Sequence, residues 1–165
     1  MSKEKRRFVD PLLTGMTVFG FLVSLMTVYP RMTVTISGPS DDRQPLSSSF
    51  LISNDGYLPV YSVSATCLLG ELAISPRKFS GNGSLVPLSG PPMPPPLTLN
   101  PGAKESVPFS NCFIVSPSNL LAGAYVGLRV TYRPLLWFKS RTITQEFTAE
   151  TIGADHFYWY SYPTK

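Results

Sequence analysis

Residues 124–148 read AYVGLRVTYRPLLWFKSRTITQEFT, and this stretch decides the fold class. The runs 124–132 and 142–148 are rich in β-branched and aromatic residues, so each predicts a strand. Residues 133–139, Arg133-Pro134-Leu135-Leu136-Trp137-Phe138-Lys139, join the two as a hairpin. Working outward, 32–36 alternates with a period of two and is followed by Gly38-Pro39. Residues 49–53 form another strand candidate, ended by Asn54-Asp55-Gly56, which tolerate the backbone of a tight turn. From Val60 to Cys67 the chain alternates again, with Val60, Ser62, Ser64 and Thr66 on one face and Tyr61, Val63, Ala65 and Cys67 on the other. Residues 97–99 and 105–109 flank the turn Asn100-Pro101-Gly102, 112–115 is a short apolar strand candidate, and 75–90 has poor periodicity. With 17 prolines and 12 glycines among 165 residues, short elements joined by turns are expected. Seven or eight such strands predict an all-β protein, a Greek-key β-sandwich of the immunoglobulin type.

Three turn-bearing motifs carry a resemblance. Phe50-x-Ile52-x-Asn54-x-Gly56, then Pro59-Val60-x-x-Val63, then Leu99-x-Pro101-Gly102-x-Lys104 is similar to bacterial immunoglobulin-like domains of the cell-adhesion-related type, over residues 48–150. In those domains an N-x-G turn joins two early strands and an L-x-P-G-x turn leads into a mid-domain strand. The resemblance implies an immunoglobulin-like sandwich and an interaction role, with no catalytic residues to carry over. The Pro-rich insertion departs from the pattern.

The N-terminus has a different character. Residues 11–29 read PLLTGMTVFGFLVSLMTVY, nineteen residues without a charge. About 20 apolar residues at 1.5 Å each cross a hydrocarbon core of about 30 Å. Lys3, Lys5, Arg6 and Arg7 precede the run and Arg31 follows it, which predicts a cytoplasmic N-terminus. A secretory signal has the same layout, but this run exceeds the usual signal core and no small-x-small cleavage site follows it. The domain organisation expected is a basic cytoplasmic tail (1–10), a transmembrane helix (11–30), a β-sandwich (32–150) in the periplasm or outside the cell, and an aromatic C-terminal tail (151–165). Gly20 and Ser24 form a small-xxx-small pair that suits helix packing in lipid, beside the plainer reading of a lipid-facing helix.

The net charge of +4 is concentrated in the N-terminal tail. From Met32 onward nine basic residues meet eight acidic ones, so no basic face for nucleic acid is expected. Cys67 and Cys112 are the two cysteines, each in a predicted strand. Outside the cytoplasm they are expected to form a disulfide, the other reading being two separate buried thiols.

No catalytic constellation emerges. His156 is the single histidine, no G-x-S-x-G or phosphate-cradling glycine loop is present, and neither CxxC spacing nor a histidine cluster offers a zinc site. Asp41 and Asp42 read as a solvated turn with too few oxygen ligands for calcium, and Glu146 and Glu150 lie on a strand. No metal, cofactor or small-molecule substrate is expected, and no enzymatic activity.

Binding features are more distinct. Residues 90–96 (GPPMPPP) suit polyproline II, as a groove ligand or a rigid edge-blocking loop. Leu135, Leu136, Trp137 and Phe138 form an apolar hairpin tip, which implies burial against the end of the sandwich, a partner or the membrane interface. Phe157, Tyr158, Trp159, Tyr160 and Tyr162 crowd the last ten residues, either as a final strand or as a surface for another protein. Asn82-Gly83-Ser84 is a sequon of consequence where asparagine is glycosylated. The function expected is that of a non-catalytic, single-pass anchored accessory or structural subunit of a membrane complex. Its partners would be other subunits and the bilayer. The alternative is a free-standing envelope adhesion or ligand-binding module.

Overall fold

A computed structural model of the chain describes residues 13–21, 23–24, 29–38, 47–74, 77–80, 84–88, 97–112, 121–136, 139–152 and 156–162. Among the described residues ten strands form two antiparallel sheets, an all-β, sandwich-like arrangement. The smaller sheet has the order β1-β2-β7, with β1 Met32–Ile36, β2 Ser49–Asn54 and β7 Lys104–Pro108. The larger sheet runs β10-β9-β8-β3, with β3 Val60–Ile74, β8 Leu121–Pro134, β9 Arg141–Ile152 and β10 His156–Ser161. Along the other edge of β3 the returning chain pairs in three pieces: β4 Arg77–Ser80, β5 Val86–Pro87 and β6 Leu97–Leu99. The described part of the weakly periodic stretch 75–90 therefore holds two short strands, too brief to leave an alternating pattern in the sequence.

Period-two burial along β8 explains why that stretch is so clearly a strand. Ala124, Val126, Leu128, Val130 and Tyr132 are all buried, as are Phe147 and Ala149 across from them on β9. Against this face the smaller sheet sets Met32, Val34, Phe50, Ile52 and Val107 in one continuous core. Phe50 stacks on Phe109 at 4.5 Å and tilts against Phe147 at 5.6 Å, joining the layers through three buried rings. Each buried ring contributes about 1.5–3 kcal/mol of burial, and each pair about 0.5–1.5 kcal/mol more.

Two expectations change. Strand β3 is not a simple alternation: Ser62 sits at φ 51° and the register with β8 shifts between Tyr61 and Ser64. That irregularity puts Val60 and Val63 both in the core, whereas uninterrupted alternation assigns them to opposite faces. Cys112 lies at the end of a single helical turn, Phe109–Cys112, and not in a strand. Pro108 ends the preceding strand, and the turn carries both Phe109 and Cys112 inward.

The two turn motifs meet at one side chain. Asn54 is fully buried, and its Nδ2 donates to the carbonyls of Leu58 and Leu99, both at 2.9 Å. Its Oδ1 accepts from the Gly56 N–H at 3.1 Å. The main chain adds bonds from the Asn54 N–H to Ala103 and from the Gly102 N–H to Asn54. Asn100-Pro101-Gly102 closes with Ala103 N–H donating to Asn100 O, and Gly102 takes φ 75°, the pattern of a type II turn. Replacing Asn54 with Ala strips three hydrogen bonds from a buried site. We predict a loss of about 3 kcal/mol, read as a lower denaturant midpoint with an unchanged slope.

Candidate interaction surfaces

Cys67 of β3 and the helical turn at Cys112 bring two sulfurs to disulfide distance, with Cα atoms 5.5 Å apart and a sequence separation of 45. Both residues belong to the core. The pair ties the turn that carries Phe109 to the larger sheet. Among the described residues no group of three or more His, Cys, Asp or Glu is placed to hold a metal ion.

The aromatic C-terminal segment divides by strand alternation. In β10, Trp159 stands opposite Ala149, faces the core and packs on Phe109 at 5.0 Å. Tyr158 and Tyr160 stand opposite Glu150 and Thr148, on the outer face, and both are exposed, as is Tyr162. The strand is held at its end, where the Tyr162 N–H donates to Glu146 O and Gln145 Nε2 donates to Tyr162 O. Residues 156–161 are thus an integral strand of the larger sheet, and their outward tyrosines form a row along it. The Phe157 and His156 side chains lie outside the described set.

Beside that row, Tyr125 on β8 lies over Gly70, where an added Cβ would collide with the ring. Its hydroxyl donates to Glu146 Oε2 at 2.6 Å, and its ring meets Tyr162 edge-on at 6.2 Å. The Tyr125 pKa is pushed up to about 12, chiefly by the hydrogen bond to Glu146, then by burial and by the Glu146 charge. Burial likewise raises Tyr132. Tyr125 was not legible as a surface residue, because AYVGLRVTY alternates and nothing in it marks which tyrosine faces out.

The hairpin tip is described in part. Leu135 and Leu136 are 49% and 57% exposed, while Trp137 and Phe138 lie outside the described residues, as do Asp41, Asp42, Asn82 and the 90–96 segment. The tip is at the end of the domain where the N-terminal segment arrives. Asp55 N–H donates to Arg31 O at 2.7 Å, and the Arg141 guanidinium lies over the Tyr29 ring at 4.7 Å. Before that point, residues 13–21 and 23–24 are helical and every one is exposed, Gly20 and Ser24 included. No helix among the described residues is long and apolar enough to cross a membrane.

No family model, no curated protein and no solved structure matches this chain.

Two outcomes test these assignments. A bridge closing this loop stabilises by up to about 4 kcal/mol on chain-entropy grounds. Reduction is therefore expected to lower the denaturant midpoint, and the oxidised protein to titrate no free thiol. For Tyr125, a raised pKa stabilises the fold fully below pH 10, the ordinary tyrosine value, and that contribution disappears as pH rises through about 12. Tyr125→Phe is expected to melt lower than wild type at pH 8 and to show a shallower decline between pH 10 and 12.

Proposed function

We propose that this chain is a single-pass membrane-anchored, non-catalytic accessory subunit of a membrane complex, with an immunoglobulin-like Greek-key sandwich on the extracytoplasmic side. The observation that carries the reading is the apolar helical segment whose described residues are all exposed. Phe19 is 70% and Phe21 64% exposed, and no described residue of the sandwich covers them. A helix apolar on all sides needs an apolar surrounding, which a bilayer supplies and water does not. The charge bias of Lys3, Lys5, Arg6 and Arg7 over Arg31 favours a cytoplasmic N-terminus, and the Cys67–Cys112 pair suits an oxidising compartment beyond it.

The connectivity supports the immunoglobulin-like part. The chain leaves the smaller sheet after β2, builds β3 to β6 on the larger one, returns for β7, and crosses again to β8 and β9. That interleaving of two sheets is the kind a Greek key requires.

Docking is assigned to the tyrosine row. Tyr158 stands opposite Glu150, nine residues along β9 from Arg141 and roughly 30 Å from the end where the helix arrives. That distance removes the row from the membrane surface and suits it to another protein. Tyrosines there offer large rigid contact area with a polar tip, and the outer edge of β10 is unpaired among the described residues.

Gentle detergent extraction followed by size separation and mass spectrometry is the direct test. Migration in a large assembly with intact Met1-side peptides is the expected result. A small species lacking residues 1–30 would favour the free-standing adhesion or ligand-binding module and end the subunit reading. Replacing Tyr158 and Tyr160 together with Ala is expected to reduce co-migration at least about fivefold, the effect of a loss near 1 kcal/mol, while the melting temperature stays within a few degrees of wild type.

A further inference from the structure

The same end of the sandwich collects three unrelated features, and the sequence separates them widely. The apolar run of the sequence ends at Tyr29, and Arg31 is already bonded to Asp55, so only Pro30 separates the end of that run from the first residue held by the domain. Two residues span at most roughly 7 Å, which is comparable with the depth of one headgroup layer. Pro30 is buried, and the backbone at Pro30 and Arg31 passes so close to Gly56 that a Cβ there would lie 2.8 Å from the Arg31 nitrogen. The junction is therefore packed against the domain.

Around this junction lie exposed apolar and aromatic side chains. Tyr57 is 76% exposed in the turn after Asn54, and Leu135 and Leu136 project from the β8–β9 tip, where Val60 pairs with Pro134. Tyr29 lies against Arg141 at the base of the same tip. Basic residues ring these groups: Arg31, Lys104, Arg133 and Lys139 are exposed, and Arg141 is half-buried. Lys104 belongs to this end because it pairs with Ser53, and Arg133 because it pairs with Tyr61. On the acidic side are Asp55, which accepts a hydrogen bond from Thr33 Oγ1, and Glu105, one residue further along β7. A nearly neutral domain thus carries a local excess of cations around an apolar tip.

We infer that this end of the sandwich is seated on the bilayer itself, with Leu135 and Leu136 entering the interfacial layer and the surrounding arginines and lysines meeting anionic lipid headgroups. The inference rests on the anchored reading and extends it: the domain is not merely tethered, but held against the membrane at a fixed end. Aromatic side chains with an apolar body and a polar tip suit the headgroup level, and Lys and Arg beside an apolar patch suit an anionic surface. A water-facing tip would leave Leu135 and Leu136 uncovered. A protein partner would not account for the tip sharing one end with the helix junction.

The test uses the full chain reconstituted in vesicles of phosphatidylcholine and phosphatidylglycerol, with Trp137→Phe as parent and Leu136→Trp added as reporter. Lipids brominated high on the acyl chain quench tryptophan by contact. Quenching of the introduced tryptophan, absent for Trp159 in the parent, is the expected result. It should weaken when phosphatidylglycerol is omitted or when Arg133→Glu and Lys139→Glu are combined. Retention of the chain through an alkaline wash without quenching at position 136 would overturn the membrane seat and leave the anchor standing. Release of the chain by that wash would overturn both.

Discussion

The buried amide of Asn54 is the constraint on which the arrangement of the chain at one end of the sandwich depends. A carboxamide removed from water must satisfy both of its donors and its acceptor or cost several kcal/mol. Here the donors are taken by Leu58 and Leu99 and the acceptor by Gly56. Those partners belong to the connection out of β2, the end of β6 and the turn under the arriving N-terminal segment. One side chain thereby fixes the exit of the smaller sheet, the last piece of the return along β3, and the surface against which Arg31 is held. The apolar core drives the two sheets together. The amide sets which turn lies beside which.

That role explains which parts of the fold could be read from the residues and which could not. The strands 32–36, 49–53 and 97–99 lie close to the boundaries observed, and 124–132 and 142–148 fall inside the longer β8 and β9, because each is rich in apolar or β-branched residues and the first three are closed by turn residues. The turn Asn100-Pro101-Gly102 was legible for a different reason: proline and glycine in those positions leave the backbone few alternatives. Strand β3 was legible as a strand over its first half, Val60 to Cys67, but not in which of its residues face the core. Its irregularity at Ser62 and its shift between Leu69 and Glu71 interrupt the period of two, so a regular reading misassigns its faces. The apolar FIV after Cys112 reads as a strand, while the helical turn at Phe109–Cys112 is fixed by tertiary packing of Phe109 rather than by local propensity.

The surfaces were legible as composition but not as geometry. Five aromatics in the last ten residues mark the segment, yet nothing in the sequence separates Trp159, which packs on Phe109, from Tyr158 and Tyr160, which point outward. The pairing of β10 with β9 makes that division, because residues directly opposite in an antiparallel pair share a face. Likewise, PLLWF was legible as an apolar tip. Its position beside Tyr29 and Arg31 depends on the register Val60 to Pro134 and on β1 beginning opposite Asn54, which are long-range pairings.

The placement of these surfaces also limits how the domain can move. A sandwich joined to a helix through a flexible linker samples many orientations, and binding at a distant face then carries the entropic cost of selecting one. Here the segment from Tyr29 to Met32 is pinned by the Arg31–Asp55 bond, the Arg141–Tyr29 contact and the first pair of β1 with β2. Under the anchored reading, strands β8 and β9 then project the tyrosine row at a set height from the bilayer, on the outer face of a sheet whose other face is the core. A partner meets that row already oriented, so the contact area needed for a given affinity is smaller than for a tethered domain. The short junction and the lateral row of tyrosines are, on this argument, two parts of one arrangement.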